Sequence, residues 1–480
     1  MKFTDLLILF LLAAIIFAQS KFENFHTVET TIDFTQKLRL WDGFGVNYVQ
    51  TAHTRDYEKF PQEYGGFSLL SEVDKERILE MTFGEDGLQP GLIKMFLDPL
   101  HQKDPGSEFD HETTTVYMRE FVRRGMEMTR ARGGDVEIIT TLYGPPPWAT
   151  KQKVNRGRDL NPEYKKEVAL YMIDWVKFLR DRGFPVNYLS LHNEGDDWRR
   201  WPVHGEYANF DYGHDYNLYW PPKQVADFLG FMRPMMDKAG LKDVALTPGE
   251  TQNWYKFYYW NYADAIVNDP MALAGLGLIT SHGFITHDYG RWITGYDSEG
   301  TETLRKAKPG LHAWTTSMSW GGMNTESIIQ QFLNIYFADV NAIIPWAHIQ
   351  RPTHWVGGDP NPGTAFRVRE DGSYEVLPGY YFYKQVCRAG QPGMAVVKTR
   401  TRDSEISLIG FDGNGTEHPD AIVVINAGMT SDDRSDGVNI FFDVDERERY
   451  HFNFSDKTLS HGPDFDDVSY QFHKTTDGYQ

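Results

Sequence analysis

At 480 residues the chain has room for one large domain and a smaller one. Its formal net charge of −19 argues against nucleic acid or anionic membrane as a partner, and against a strongly polyanionic substrate unless local charge is reversed. One cysteine, Cys387, leaves no internal disulfide, so the fold must rest on its hydrophobic core.

Residues 1–20 read as a signal peptide. Lys2 and Asp5 precede an apolar run from Leu6 to Ala18, and Ala18-Gln19-Ser20 suits signal-peptidase cleavage. The run is short for a membrane span and no later stretch is long enough for one, so a secreted, cell-envelope or periplasmic protein is expected. The sequons at Asn414 and Asn453 matter only in a host that glycosylates.

Residues 26–40 alternate polar and apolar, as an antiparallel strand does, and lead into Trp41-Asp-Gly-Phe-Gly45. Apolar runs then recur, each ending in a polar or proline-rich loop: Leu92–Leu97 before Asp98, Val136–Leu142 before Tyr143-Gly-Pro-Pro-Pro-Trp148, and Val186–Leu191 before His192-Asn193-Glu194. The series continues with Val244–Thr247 before Gly249-Glu250, Leu276–Thr280 before Ser281-His282, Leu311–Ser317 and Ala342–Trp346. Helical spacing separates most of these runs. The clearest case follows Asn161-Pro162, where Val168, Met172, Trp175 and Leu179 share a face that Gly183 ends. With the strand after Gly43 the pattern predicts an α/β fold, a (β/α)8 TIM barrel.

Beyond Pro362 the rhythm changes to short strands with Gly, Asp and Asn turns, which predicts an attached antiparallel β-sandwich. The expected organisation is a signal peptide at 1–20, an N-terminal strand at 21–40 joining the sandwich, a catalytic barrel at 41–361 and the sandwich at 362–480.

An apolar strand that ends at a carboxylate is how barrel enzymes present catalytic groups, because the strands' C-terminal ends converge there. Asn193 before Glu194 suits an amide that holds a sugar hydroxyl while the carboxyl works on the glycosidic oxygen. A lone Asn-Glu is otherwise a common surface turn; its place in the strand-helix repeat makes it the leading catalytic candidate.

Together, Trp41-Asp-Gly-Phe-Gly45, Tyr143-Gly-Pro-Pro-Pro-Trp148, Leu191-His-Asn-Glu194, Ser281-His282, Pro345-Trp346, and Pro378-Gly-Tyr-Tyr381 through Pro392-Gly393 resemble the family 30 glycoside hydrolases over nearly all of the mature chain. The resemblance implies a hydrolase of polysaccharides or oligosaccharides that needs no cofactor. It makes Glu194 the general acid/base and Asn193 its sugar-binding partner, with Trp148, His282 and Trp346 lining the pocket. It also calls for a carboxylate nucleophile at the end of the seventh strand and an Arg on the second. This chain places Thr316 and Lys94 there.

Three readings follow. An inverting hydrolase would pair Glu194 with a second carboxylate ~6.5–9.5 Å away, for which Glu250 is the first candidate and Asp98 the next; each also has an ordinary role, as a sugar-binding or capping group and as a turn residue. A retaining hydrolase would take its nucleophile from elsewhere, such as Glu326, which also suits the first turn of a helix. A sugar-binding barrel without hydrolysis would keep aromatic contacts from Trp148, Trp198, Trp254, Trp314 and Trp346.

Arg199 and Arg200 suit an acidic sugar or the adjacent Asp196 and Asp197. No metal site is expected: His282 and His287 do not share a helical face and no His-Glu-x-x-His occurs, while Asp432, Asp433 and Asp436 read as solvated turn residues before a Ca²⁺ loop. Ser317 and Ser319 lack a Gly-x-Ser-x-Gly setting, and no nucleotide-binding glycine motif is present.

Overall fold

The computed structural model describes residues 29–51, 63–155, 157–196, 218–284, 297–319, 326–351, 363–401 and 406–426, with the backbone of four short strands between 449 and 479. The leader at 1–20, Trp198, Arg199, Arg200, His287, the Asp432–Asp436 loop and the side chains of Ser319 and Glu326 lie outside the described residues.

In chain order, β1 (Thr30–Leu40) precedes the first barrel strand, β2 (Gly43–Asn47). The barrel continues through α1 (Glu72–Phe83), β3 (Leu92–Leu97), α2 (Val116–Ala131), β4 (Glu137–Leu142), α3 (Lys165–Asp181) and β5 (Val186–Ser190). It then passes through α4 (Pro222–Lys238), β6 (Ala245–Thr247), the short helices α5 (Trp254–Tyr259), α6 (Tyr262–Val267) and α7 (Pro270–Gly275), and β7 (Ile279–Ser281). It ends with α8 (Glu299–Ala307), β8 (Ala313–Ser319), α9 (Glu326–Phe337) and β9 (Ala342–Trp346).

All pairings in this eight-stranded sheet are parallel, in the order β6-β5-β4-β3-β2-β9-β8-β7. A parallel bridge between Leu246 and Leu276 joins the two ends, so the sheet closes on itself. The fold is a (β/α)8 barrel with an attached antiparallel β-domain.

Helix α3 shows how sequence becomes packing. The Asn161 side chain accepts from Glu163 N at 3.2 Å, starting a 3₁₀ turn that runs into the helix. Val168, Met172, Trp175 and Leu179 are all fully buried, and Trp175 Nε1 donates to Thr140 Oγ1 of β4 at 2.8 Å. Gly183, at φ 84°, ends the helix as only glycine does without strain, and the chain turns into β5. Inside the barrel, Leu92, Ile139, Leu278, Trp314, Ala342 and Ile344 fill the floor with Tyr188. Such a filled interior leaves chemistry to the strands' C-terminal ends.

After the barrel, β10 (Ile349–Gln350), β11 (Phe366–Val368) and β12 (Tyr374–Val376) form a small sheet of their own. Helix α10 (Pro378–Ala389) follows, a helix the strand-rich reading of this region does not predict. Pro378 at its first turn and a buried face of Tyr380, Tyr383, Val386 and Cys387 account for it. The strands β13 (Ala395–Thr401), β14 (Ile406–Asp412) and β15 (Ala421–Asn426) then form an antiparallel sheet with the four later strands. Strand β1 pairs antiparallel with β13 from Thr30–Thr401 to Leu40–Ala395, so the first strand belongs to this sheet rather than to the barrel. Among the described residues no helix is long and apolar enough to cross a membrane.

Candidate active site

Three strand tips are tied together by backbone hydrogen bonds that continue the barrel ladder past its regular end. Glu250 N donates to His192 O at 2.9 Å, Glu194 N to Glu250 O at 2.8 Å, and His282 N to Thr251 O at 2.8 Å. Residues 192–194, 250–251 and 281–282 therefore have one relative placement. Glu194 has φ 39°, in the left-handed region that non-glycine residues seldom occupy and that costs about 1–3 kcal/mol. Strain of that size is retained where the fold over-determines it, and active sites are the usual place.

The side chains complete the arrangement. His282 Nδ1 lies 2.8 Å from Glu194 Oε1, and its Nε2 lies 3.2 Å from Glu250 Oε2. Lys94 Nζ donates to Glu250 Oε2 at 2.8 Å, to Ser317 Oγ at 2.8 Å and to the Thr316 carbonyl at 3.1 Å. Thr141 Oγ1 donates to Glu250 Oε1 at 2.8 Å. The second-strand cation thus spans to the seventh strand, but the carboxylate it holds comes from the loop after β6. Thr316 itself is buried, its hydroxyl 3.4 Å from Ser281 O.

Protonation states follow from these contacts. Burial works against the Glu250 charge, but Lys94 and His282 overcome it and hold the carboxyl at about 2. Burial likewise opposes a charged His282, yet its hydrogen bonds to Glu194 and Glu250 outweigh it and raise the ring above its ordinary value. His192, deeply buried and stacked on Trp220, is pushed down to about 3 and is neutral.

The other sequence candidates fall in different places. Asn193 is buried beside Glu194, its backbone bridged to Glu250. Trp346 is partly exposed among Tyr64, Phe96 and Tyr143, whereas Trp148 is buried on Tyr164 with Nε1 donating to Gln102 O at 3.2 Å. Asp98 is engaged elsewhere: it accepts from Leu100 N and Thr51 Oγ1 and contacts His101 Nε2, which fixes its own loop. Trp314 is corrected outright. It lies in the barrel floor against Tyr188 and donates to Asp42, because it is the second residue of β8 and so sits far below the strand's C-terminal end. Trp254 is fully buried too, donating to Asn334.

No protein-family model matches the chain. Glucuronoxylanase XynC of Bacillus subtilis is 27% identical over 188 residues, 38% of this chain and 36% of that protein. The match thus spans about a third of the curated relative. Solved structures cover far more. SrfJ from Salmonella typhimurium superposes with TM-score 0.65 at 14% identity, over 85% of this chain and 87% of that one. The endo-β1,6-glucanase BT3312 gives TM-score 0.62 at 17% identity, over 83% and 87%. The glycoside hydrolase family 30 subfamily 8 xylanase Xyn30A from Clostridium acetobutylicum gives 0.58 at 19%, over 84% of each chain. The fold is that of glycoside hydrolase family 30. Within this fold the carboxylate held by the second-strand cation is Glu250.

Sequence reasoning missed two residues at the site. Gln252 Nε2 donates to Glu194 Oε2 at 3.4 Å, and Lys256 Nζ donates to Gln252 Oε1. Asp196, read as a partner for the neighbouring arginines, lies 3.6 Å from Lys256 Nζ. A lysine in a tyrosine-rich helix looks solvated in sequence, and only the short α5 turn brings it inward.

Gly249 carries the whole tip. Its φ is 95°, and an added Cβ would fall 2.1 Å from His192 Cδ2. Gly249→Ala is expected to displace His192 or Glu250 and to lower stability by about 1–3 kcal/mol. Urea unfolding monitored by tryptophan fluorescence checks this; an unchanged midpoint would show that the tip relaxes freely.

Proposed function

We propose that the chain is a secreted glycoside hydrolase acting on a polysaccharide or oligosaccharide, with Glu194 as proton donor and Glu250 as the second carboxylate. The observation that carries the reading is the His282 ring held between the two carboxylates at the mouth of a family 30-type barrel. Hydrogen bonds of 2.8 and 3.2 Å to opposite nitrogens of one imidazole imply bonded oxygens roughly 7 Å apart. For this pair of oxygens, that spacing supports the ~6.5–9.5 Å of an inverting pair over the ~5–5.5 Å of a retaining one.

In this reading Glu194 protonates the leaving oxygen while Asn193 and Trp346 contact the sugar. Glu250 is the base toward water. Thr141 is its one neutral side-chain contact, and the one whose exchange for water costs least. A carboxyl held at about 2 is ionised at every working pH but is a weak base.

One observation favours a sugar-binding barrel instead. Glu250 is 0% exposed with both oxygens engaged, and the described side chains of the seventh strand include no carboxylate. Reducing-end release from glucuronoxylan, xylan and β-1,6-glucan separates the two, with Glu194→Gln as control. Turnover that the substitution removes supports the hydrolase; sugar binding with no turnover in the unaltered chain supports the binder.

A further inference from the structure

We infer that Lys256 is a positioning residue that fixes the direction of the hydrogen bonds on Glu194, acting through the Gln252 amide. This rests on Glu194 being the acid proposed above. An ammonium can only donate, so Lys256 obliges Gln252 to turn its carbonyl oxygen toward it, and the Gln252 NH₂ then faces Glu194 Oε2.

The neighbouring groups support that direction. Lys256 is 1% exposed, with Asp196 at 3.6 Å and the Trp260 ring beneath it at 4.8 Å. Asp196 in turn accepts from Gln252 N at 3.1 Å, which fixes the backbone the amide hangs from. On the other side, Lys94 holds Glu250 as a carboxylate, and Glu250 requires a hydrogen on His282 Nε2. Lys94 and Lys256 therefore stand at opposite ends of one chain, Lys94–Glu250–His282–Glu194–Gln252–Lys256. Between these two ends lies the proton shared between His282 Nδ1 and Glu194 Oε1.

Donation from Gln252 stabilises ionised Glu194, so the resting proton is shifted onto His282, from which Glu194 is loaded when substrate arrives. Without Lys256 the amide is free to turn and accept from a protonated Glu194. The acid then keeps its proton to higher pH.

The test is the pH profile of kcat/KM, whose alkaline limb reports the Glu194–His282 pair. Lys256→Met is expected to move that limb up by about one pH unit, while Lys256→Arg, which still only donates, leaves it in place. Gln252→Leu, which removes the donor directly, shifts it in the same direction and serves if Lys256→Met does not fold. The same shift is read without turnover from the ¹³Cδ titration of glutamate-labelled protein, with Glu194→Gln identifying the resonance. An alkaline limb and a ¹³Cδ titration that stay put in both Lys256→Met and Gln252→Leu overturn the inference. If the unaltered chain turns over no glycan, the hydrolase reading fails while the ¹³Cδ titration still decides the role of Lys256.

Discussion

Glu194→Gln is expected to lower kcat on unactivated polysaccharide by ~10²–10⁴-fold, the usual contribution of a general acid, with sugar affinity nearly unchanged. The amide is nearly isosteric and sits on the same left-handed backbone, so the His282 ring and the three tied strand tips keep their places. The proton is lost, together with one of the two accepting oxygens that face His282 Nδ1 and Gln252 Nε2. The leaving group therefore decides the size of the effect. Aryl glycosides whose phenol departs as a stable anion need little protonation, and their rate should fall far less than that of the polysaccharide. Equal losses on both substrates would mean that the substitution damages the site as a whole, and Glu194 would not be the acid.

Lys94→Met is the second large effect, and it is expected on stability as well as activity. Lys94 and Glu250 are each fully buried and pair at 2.8 Å. Removing one partner of such a pair leaves an uncompensated charge and costs about 3–5 kcal/mol. The pH dependence identifies the cause. Glu250 has its folded value depressed from 4.5 to about 2, so its contribution is present above 4.5 and fades as pH falls through about 2. Without Lys94 the burial that raises Glu250 is no longer overcome, so acid protonates it and the deficit of Lys94→Met shrinks as pH falls. His282 acts in the opposite sense: with a raised folded value, its contribution is full below 6.5 and is lost as pH climbs through that raised value. Urea melts at several pH values check this. A deficit that is the same at pH 4 and pH 7 would contradict it.

The barrel is legible in the sequence because each strand is a short apolar run ending in a residue that cannot continue it. Leu92–Leu97 and Ala342–Trp346 coincide with their strands at both ends, and the α3 face is readable from its spacing. What the sequence hides is depth and direction. Barrel strands are buried on both sides, so alternation does not separate the floor from the mouth, and Trp314 is misread as a substrate contact for that reason. Its place near the start of β8 is the signal that corrects it. Helix α10 is hidden by tyrosines and a proline that resemble strand and turn residues, although its buried positions recur at helical spacing. Lys256 and Gln252 are hidden more deeply, since they reach Glu194 only through a turn between β6 and α5 that places polar side chains under the site. Glu250 could be nominated from its position after a strand, but its pairing with Lys94 is visible only in three dimensions.

The measurement closest to the central claim is the anomeric configuration of the first product, followed by ¹H NMR during hydrolysis of a β-linked oligosaccharide. Glu194 and Glu250 acting across the His282 ring predict that the α anomer of the new reducing end appears first and then mutarotates. Initial appearance of the β anomer would mean retention through a carboxylate nucleophile closer to Glu194, and Glu250 would be a supporting group rather than the second catalytic carboxylate.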